Sequence, residues 1–82
     1  MNSKWILQDL NEAKEQLVDI IGKLSSQDYN VDDFELDMTH VYSHLNVAYN
    51  TRSWSEEQIN QFDDEKYKKV RKTPTDLIFI NN

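Results

Sequence analysis

The chain of 82 residues contains a single glycine, Gly22, and no Asn-Gly or Asp-Gly pair. Tight β-hairpins depend on such residues because their turns require positive φ angles. This scarcity argues against a many-stranded barrel or sandwich. The chain has a hydrophobic content of 38% and nine aromatic residues: two Trp, four Tyr and three Phe. Disordered chains usually hold fewer aromatic residues. We therefore expect a folded domain.

The first part of the chain carries apolar residues at alternating spacings of four and three, the pattern of an amphipathic helix. This stripe consists of Ile6, Leu10, Ala13, Leu17, Ile20 and Leu24. Polar and acidic residues occupy the other side. The pattern predicts a first helix over about residues 4–24.

The second helix is predicted by its start signals. Asp32 and Glu35 have the spacing of a capping box, and Val31 and Leu36 are placed as a hydrophobic staple across it. The pattern predicts a helix over about residues 33–52. Its apolar stripe consists of Phe34, Met38, Val41, Leu45 and Ala48.

A third helical segment is predicted over residues 56–72. Ser55 and Gln58 form a second capping-box pattern at its start. The apolar periodicity weakens further on, so one helix and two short helices broken near Asp63 and Asp64 both fit.

The C-terminal residues 73–82 are predicted to form an extended arm. Pro74 ends the helical pattern because proline disfavours the α conformation in the preceding residue. An apolar run follows, and a lone strand lies in a groove or pairs with another molecule. The interacting residues of this arm are expected to be Leu77, Ile78 and Phe79. The fold class is thus all-α: an antiparallel two-helix hairpin, a shorter third helical segment and an extended C-terminal arm, in one domain.

Four residues of the second helix suggest a metal site. Asp33, Asp37, His40 and His44 follow one another at spacings of four, three and four, so they share one face. Carboxylate and imidazole ligands at such spacings hold metal ions in helical bundles, and they suit zinc, iron or nickel. The alternative is that the acids favour the helix dipole and the histidines are ordinary half-exposed residues.

Several enzyme classes are excluded. The residue after His40 is not the Glu of a helical zinc protease, and one glycine cannot build a phosphate-binding loop. No serine stands in a nucleophile elbow. We therefore name no catalytic residue, and no cofactor beyond a divalent metal at the second helix.

Around the end of the second helix lies a candidate binding patch. Its members are Tyr42, Asn46, Tyr49, Asn50 and Arg52. Tyr and Arg are common anchors of protein interfaces, and Asn fixes orientation. The alternative is a polar network that locks the corner between the second and third helices.

The patch overlaps a segment that resembles a His-Leu-Asn-x-Ala-aromatic-Asn-x-Arg signature of small helical bacterial proteins of uncharacterised function. The matching residues are His44, Leu45, Asn46, Ala48, Tyr49, Asn50 and Arg52. Tyr49 stands where Trp is expected, and the tail from Thr73 to Leu77 is similar to the close of such chains. The resemblance implies a compact helical domain of bacterial type and no particular activity.

Charge is distributed unevenly. Residues 66–72 hold five of the nine basic residues, whereas residues 1–65 hold fourteen acidic and four basic ones. The acidic body would repel a nucleic-acid backbone, and lysines at a helix end are favoured by the helix dipole. We therefore do not expect nucleic-acid binding.

A domain of this size buries only roughly 60% of the surface of its unfolded chain, so a partner would add to its stability. We expect an interaction or regulatory module that docks onto a protein partner or forms a homodimer, with the metal-binding helix as the alternative function. The sequence has no cysteine, no signal-peptide pattern and no apolar stretch of membrane-spanning length. The expected location is the cytoplasm, away from membranes.

Overall fold

The computed structural model describes residues 1–78. Its elements in chain order are α1 (Ser3–Lys23), α2 (Val31–Asn50), α3 (Glu56–Asn60) and α4 (Asp64–Val70). Residues 1–78 contain no strand, so the predicted all-α class and helical hairpin are confirmed. Phe79, which the sequence assigned to the arm, lies outside the described residues.

The first helix begins as predicted to within one residue. The side chain of Asn2 accepts a hydrogen bond of 3.2 Å from the backbone N–H of Trp5, which caps the free donors of the first turn. The backbone N–H of Leu24 closes the last turn by donating to the carbonyl of Ile20.

The predicted cap of the second helix is wrong by two residues. Asn30, not Asp32, is the N-cap, and its side chain accepts from the N–H of Asp33 at 2.9 Å. The Asp33 carboxylate accepts in return from the N–H of Asn30 at 3.4 Å, which completes a capping box. Asn and Asp are nearly equal as caps, so the local pattern does not distinguish the two registers. The helix therefore starts at Val31 and ends at Asn50, two residues earlier than predicted at each end.

The third helical segment is two short helices. Ser55 caps α3 as predicted, since its hydroxyl accepts from the N–H of Gln58 at 3.2 Å and its own N–H donates to the Gln58 side chain at 2.8 Å. The chain then leaves the helix, and Asp63 caps α4 by accepting from the N–H of Lys66 at 2.9 Å. The second capping residue explains why the apolar periodicity fails in this segment.

The hairpin of α1 and α2 packs through a small buried cluster. Ala13 is 2% exposed, Ile20 3% and Val41 2%, with Met38 partly buried beside them. This cluster buries few large side chains. Much apolar surface is left on one side of the helix pair.

An aromatic cluster joins the short helices to the open end of the hairpin. The Phe62 ring lies 5.1 Å from Trp5, 6.1 Å from Trp54 and 6.3 Å from Tyr67, measured between ring centroids. The indole N–H of Trp5 donates to the hydroxyl of the fully buried Thr51 at 2.8 Å. The cluster thereby fixes α3 and α4 against the first turn of α1.

Candidate functional site

The asparagines of the predicted patch bind the chain itself. The Asn50 amide donates to the carbonyls of Val70 at 2.7 Å and Lys72 at 2.9 Å, and the Asn46 amide donates to that of Arg71 at 2.9 Å. These carbonyls lie at the C-terminal end of α4, where the helix leaves its last acceptors unpaired. Two side chains of α2 therefore act as a tertiary cap for α4.

Tyr49 and Arg52 hold the segment that follows. The Tyr49 hydroxyl donates to the carbonyl of Asp76 at 3.1 Å, and the Arg52 guanidinium lies 2.8 Å from the Asp76 carboxylate. The guanidinium also stacks on the Tyr49 ring at 4.1 Å. The hydrogen bond from Arg52 lowers the pKa of Asp76 below the usual carboxyl range and in turn raises the pKa of Arg52. Four of the five patch residues thus position the C-terminal segment.

Tyr42, the fifth patch residue, is 57% exposed and borders an apolar cavity of about 490 Å³. Leu77 is 40% exposed and lines the same cavity with Leu45 and Tyr49. Ile78 follows at 89% exposed. The docked segment therefore brings Leu77 of the predicted arm beside α2 and leaves Ile78 exposed.

A second apolar cavity, of about 300 Å³, adjoins the first between α1 and α2. The two cavities share Leu45 and Tyr49, and the second extends to Ile6 and Leu10 of α1. The arm, α2 and α1 thus contribute to one continuous apolar surface.

This apolar surface continues along one side of α1. With about 100° of rotation per residue, its exposed apolar residues cover an arc of about 120° beside the contact with α2. The exposed side chains of this surface, called here the apolar face, are Leu7, Leu10, Leu17, Val18, Ile21, Leu24, Phe34, Leu45 and Leu77. Lys14 is the one charged residue on the α1 arc.

The four predicted metal ligands are not brought together. Asp33 serves the capping box, and Asp37 accepts from the Tyr29 hydroxyl at 2.8 Å and lies 3.4 Å from the Lys23 ammonium. His40 is exposed. The antiparallel course of α1 places different partners along this face, so the predicted ligand set divides among separate contacts.

His44 instead meets two acids of α1. Its Nδ1 atom lies 3.1 Å from the Asp9 carboxylate and 3.2 Å from that of Glu12. Over residues 1–78, these three form the group of acid and histidine side chains whose ligand atoms lie within 4.8 Å of one another. An open cavity of about 250 Å³ adjoins the group and is lined by Glu12, Glu15, Gln16, Asp19 and His44.

Sequence reasoning missed Asp9 and Glu12. Their spacing of three, followed by Gln16 four residues later, places all three on one side of α1. This spacing was the available signal, but only the pairing of the two helices assigns these residues to His44.

The fold and these sites define a small all-α domain built on a helical hairpin. A scan against protein-family models and searches of curated proteins and of solved structures each return no match to the chain. The resemblance of the segment from His44 to Arg52 therefore stays a prediction. Over residues 1–78, none of the four helices has the combination of length and hydrophobicity that a membrane span requires.

Proposed function

We propose that this protein is an interaction module that self-associates, with the apolar faces of two copies packed against each other. The observation that carries this proposal is the width of the exposed apolar arc on α1 and its continuity with Leu45 and Leu77. Contiguous exposed apolar surface of this kind marks an interaction site in small proteins.

The exposed area supports an interface of ordinary size. The chain exposes 6646 Å², whereas a compact monomeric protein of 9.8 kDa exposes about 5,200 Å². Each partner in a standard protein interface buries about 800 Å².

The spacing of the exposed leucines suits a helical partner. Leu10, Leu17 and Leu24 lie seven residues apart, and seven is the repeat of one seam position in packed helices. Ala13 and Ile20, each three residues after one of these leucines, are buried with Val41 in the contact with α2. Two hairpins joined through these exposed leucines would form a four-helix bundle with a two-fold axis.

The charge of the neighbouring surface favours a protein over a lipid or a nucleic acid. Helices that lie on membranes carry Lys and Arg on their polar side. The polar side of α1 instead carries more acids, Asp9, Glu12, Glu15 and Asp19, than lysines, Lys4 and Lys23, and this acidic excess would be repelled by anionic lipid and by phosphate. The absence of cysteine is compatible with the reducing cytoplasm, the location that we propose.

Sedimentation of the full chain over a range of concentrations tests self-association. The wild type is expected to sediment as a dimer that dissociates on dilution. Ile21→Glu places a charge on the apolar face at a residue that is 68% exposed, so the helix tolerates it while the interface does not. Gln8→Glu adds the same charge on the polar side of α1 and is the matched control.

A monomeric Ile21→Glu beside a dimeric Gln8→Glu would support the proposal. A wild-type chain that stays monomeric up to about 1 mM, the weak end of specific association, would rule it out. Equal dimerisation of both variants would show that another surface makes the contact.

A further inference from the structure

We propose that Asp9, Glu12 and His44 bind one divalent transition-metal ion between α1 and α2. The three side chains come from both helices of the hairpin and converge on one point. An ion at this point would join the helices on the side opposite the apolar face.

The spacing of the ligand atoms fits a tetrahedral ion. Zinc binds imidazole nitrogen at about 2.0–2.1 Å and carboxylate oxygen at about 2.0–2.2 Å, which separates neighbouring ligand atoms by about 3.3–3.6 Å. The Nδ1 atom of His44 lies 3.1 Å from the nearest oxygen of Asp9 and 3.2 Å from that of Glu12. Shifts of a few tenths of an ångström would open these distances to the range of zinc ligands.

A buried amide oxygen beside the group is independent support. Among residues 1–78, the buried Oε1 atom of Gln16 has no hydrogen-bond partner, and Gln16 lines the same cavity as Glu12 and His44. A buried acceptor without a hydrogen-bond partner lowers the stability of the fold, so a bound group that pairs with this oxygen would be stabilising. A bound ion, or a water bound to that ion, would supply the partner.

Two carboxylates at one nitrogen also favour an ion over hydrogen bonds alone. His44 carries at most one proton on Nδ1, and both Asp9 and Glu12 approach that atom. A divalent cation neutralises both carboxylates and takes the nitrogen lone pair directly, and its binding releases any proton held there.

The donor set selects the class of ion. Imidazole nitrogen suits zinc, iron, nickel and copper, whereas Mg²⁺ and Ca²⁺ prefer oxygen ligands throughout. Three protein ligands leave a fourth position for water. The open cavity beside His44 gives an ion a path to the site.

Titration of the metal-free full chain with Zn²⁺ in a calorimeter tests the site, with Mg²⁺ as the comparison ion. We expect one Zn²⁺ per chain with micromolar or tighter affinity, a higher melting temperature and much weaker binding of Mg²⁺. With Co²⁺ as a spectroscopic probe, strong visible absorption is expected for tetrahedral coordination.

Matched histidine variants locate the ligand. His44→Asn is expected to weaken Zn²⁺ binding by more than about 100-fold, since even outer-sphere partners are worth about 10- to 100-fold in metal affinity. His40→Asn removes an exposed histidine of the same helix and is expected to leave the affinity unchanged. Glu12→Gln, at a side chain that is 48% exposed, keeps the shape and removes the charge, and is expected to weaken binding at least about tenfold.

Absence of Zn²⁺ binding by the wild type at micromolar metal, or equal losses in His44→Asn and His40→Asn, would overturn the proposal. Unchanged binding by Glu12→Gln would remove that residue as a ligand and leave too few donors for the site. The monomeric variant Ile21→Glu is expected to bind one Zn²⁺ per chain like the wild type, because the site lies within one chain. The metal site and self-association therefore fail or hold separately.

Discussion

The guanidinium of Arg52 lies 2.8 Å from the carboxylate of Asp76, and this pair fixes the chain that follows α4 against α2. Tyr49 supports it from both sides, by stacking under the guanidinium and by donating its hydroxyl proton to the Asp76 carbonyl. The C-terminal segment as far as Asp76 thus belongs to the folded domain, and this contact places Leu77 on the apolar face.

Asp76→Asn is expected to loosen the C-terminal segment while leaving the hairpin intact. The substitution removes the charge that Arg52 binds, so amide hydrogen exchange should become faster over residues 71–78. Asp28→Asn removes the same charge in the loop before α2, where no ion pair forms within the described residues, and is the control. Exchange mapped by mass spectrometry gives the comparison, and equal exchange in both variants would show that the asparagine contacts suffice.

Thr51→Val is expected to lower the free energy of unfolding by about 1–3 kcal/mol. The change keeps the shape of a side chain that is 1% exposed, but it leaves the indole N–H of Trp5 without an acceptor. Thr39→Val is the matched control. Within the described residues its exposed hydroxyl donates to the Glu35 carbonyl of its own helix and to nothing else, so a change within about 0.5 kcal/mol is expected.

Urea unfolding at one pH measures both threonine variants. A loss in Thr51→Val no larger than that in Thr39→Val would mean that the bond to Trp5 contributes nothing net. That result would also remove the hydrogen bond as the anchor of the aromatic cluster.

The helices were predictable because local patterns define them. The spacings of four and three place the stripe of α1 without reference to any other element, and the box of Ser55 and Gln58 is complete within four residues. The start of α2 could not be predicted in the same way, because the sequence offers two capping boxes two residues apart. One is formed by Asn30 and Asp33, the other by Asp32 and Glu35.

The candidate sites depend on how the helices pair, and the sequence does not record this. His44 meets Asp9 and Glu12 only because the antiparallel hairpin has one particular register, set by the contact of Ala13 and Ile20 with Val41. A one-turn shift of about 5.4 Å would place other residues of α1 beside His44. Periodicity identifies the shared face of a helix and leaves its partners open.

The polar residues at the end of α2 give a second example. Asn46 and Asn50 have the chemistry of a recognition site, and they do recognise unpaired carbonyls. Those carbonyls come from the same chain, because α4 ends shortly before Pro74 and returns beside α2. Composition alone does not separate a ligand from a neighbouring segment.

Gly22→Ala is expected to raise the free energy of unfolding by about 0.5–1 kcal/mol. Gly22 lies within α1 without a positive φ, and an added Cβ atom would meet no atom of residues 1–78 within 4 Å. Alanine therefore reduces the conformational entropy of the unfolded chain without straining the folded one. Denaturant unfolding checks this, and a loss of stability would mean that the backbone at Gly22 uses the freedom of glycine.

The contact of Tyr29 with Asp37 predicts a dependence of stability on pH at both extremes. The Tyr29 hydroxyl donates to the Asp37 carboxylate at 2.8 Å, which lowers the pKa of Asp37, and Lys23 adds to this effect. Burial, followed by the bond to Asp37, raises the pKa of Tyr29 to about 12. Other charges that act on the pair are Asp33 and His40.

The direction of each pKa shift determines whether stability rises or falls with pH. Because the pKa of Asp37 is lower in the folded chain, its stabilisation is present above about pH 4 and is lost as the pH falls through the folded value. Because the pKa of Tyr29 is higher in the folded chain, its stabilisation is complete below about pH 10 and is lost as the pH rises toward the folded value. The stability difference between wild type and Tyr29→Phe should therefore be greatest between about pH 5 and 9 and shrink on either side. Urea unfolding across this range measures the difference, with Tyr42→Phe, at an exposed tyrosine, as the control. A difference that stays constant down to pH 3 would show that the hydrogen bond does not depend on the charge of Asp37.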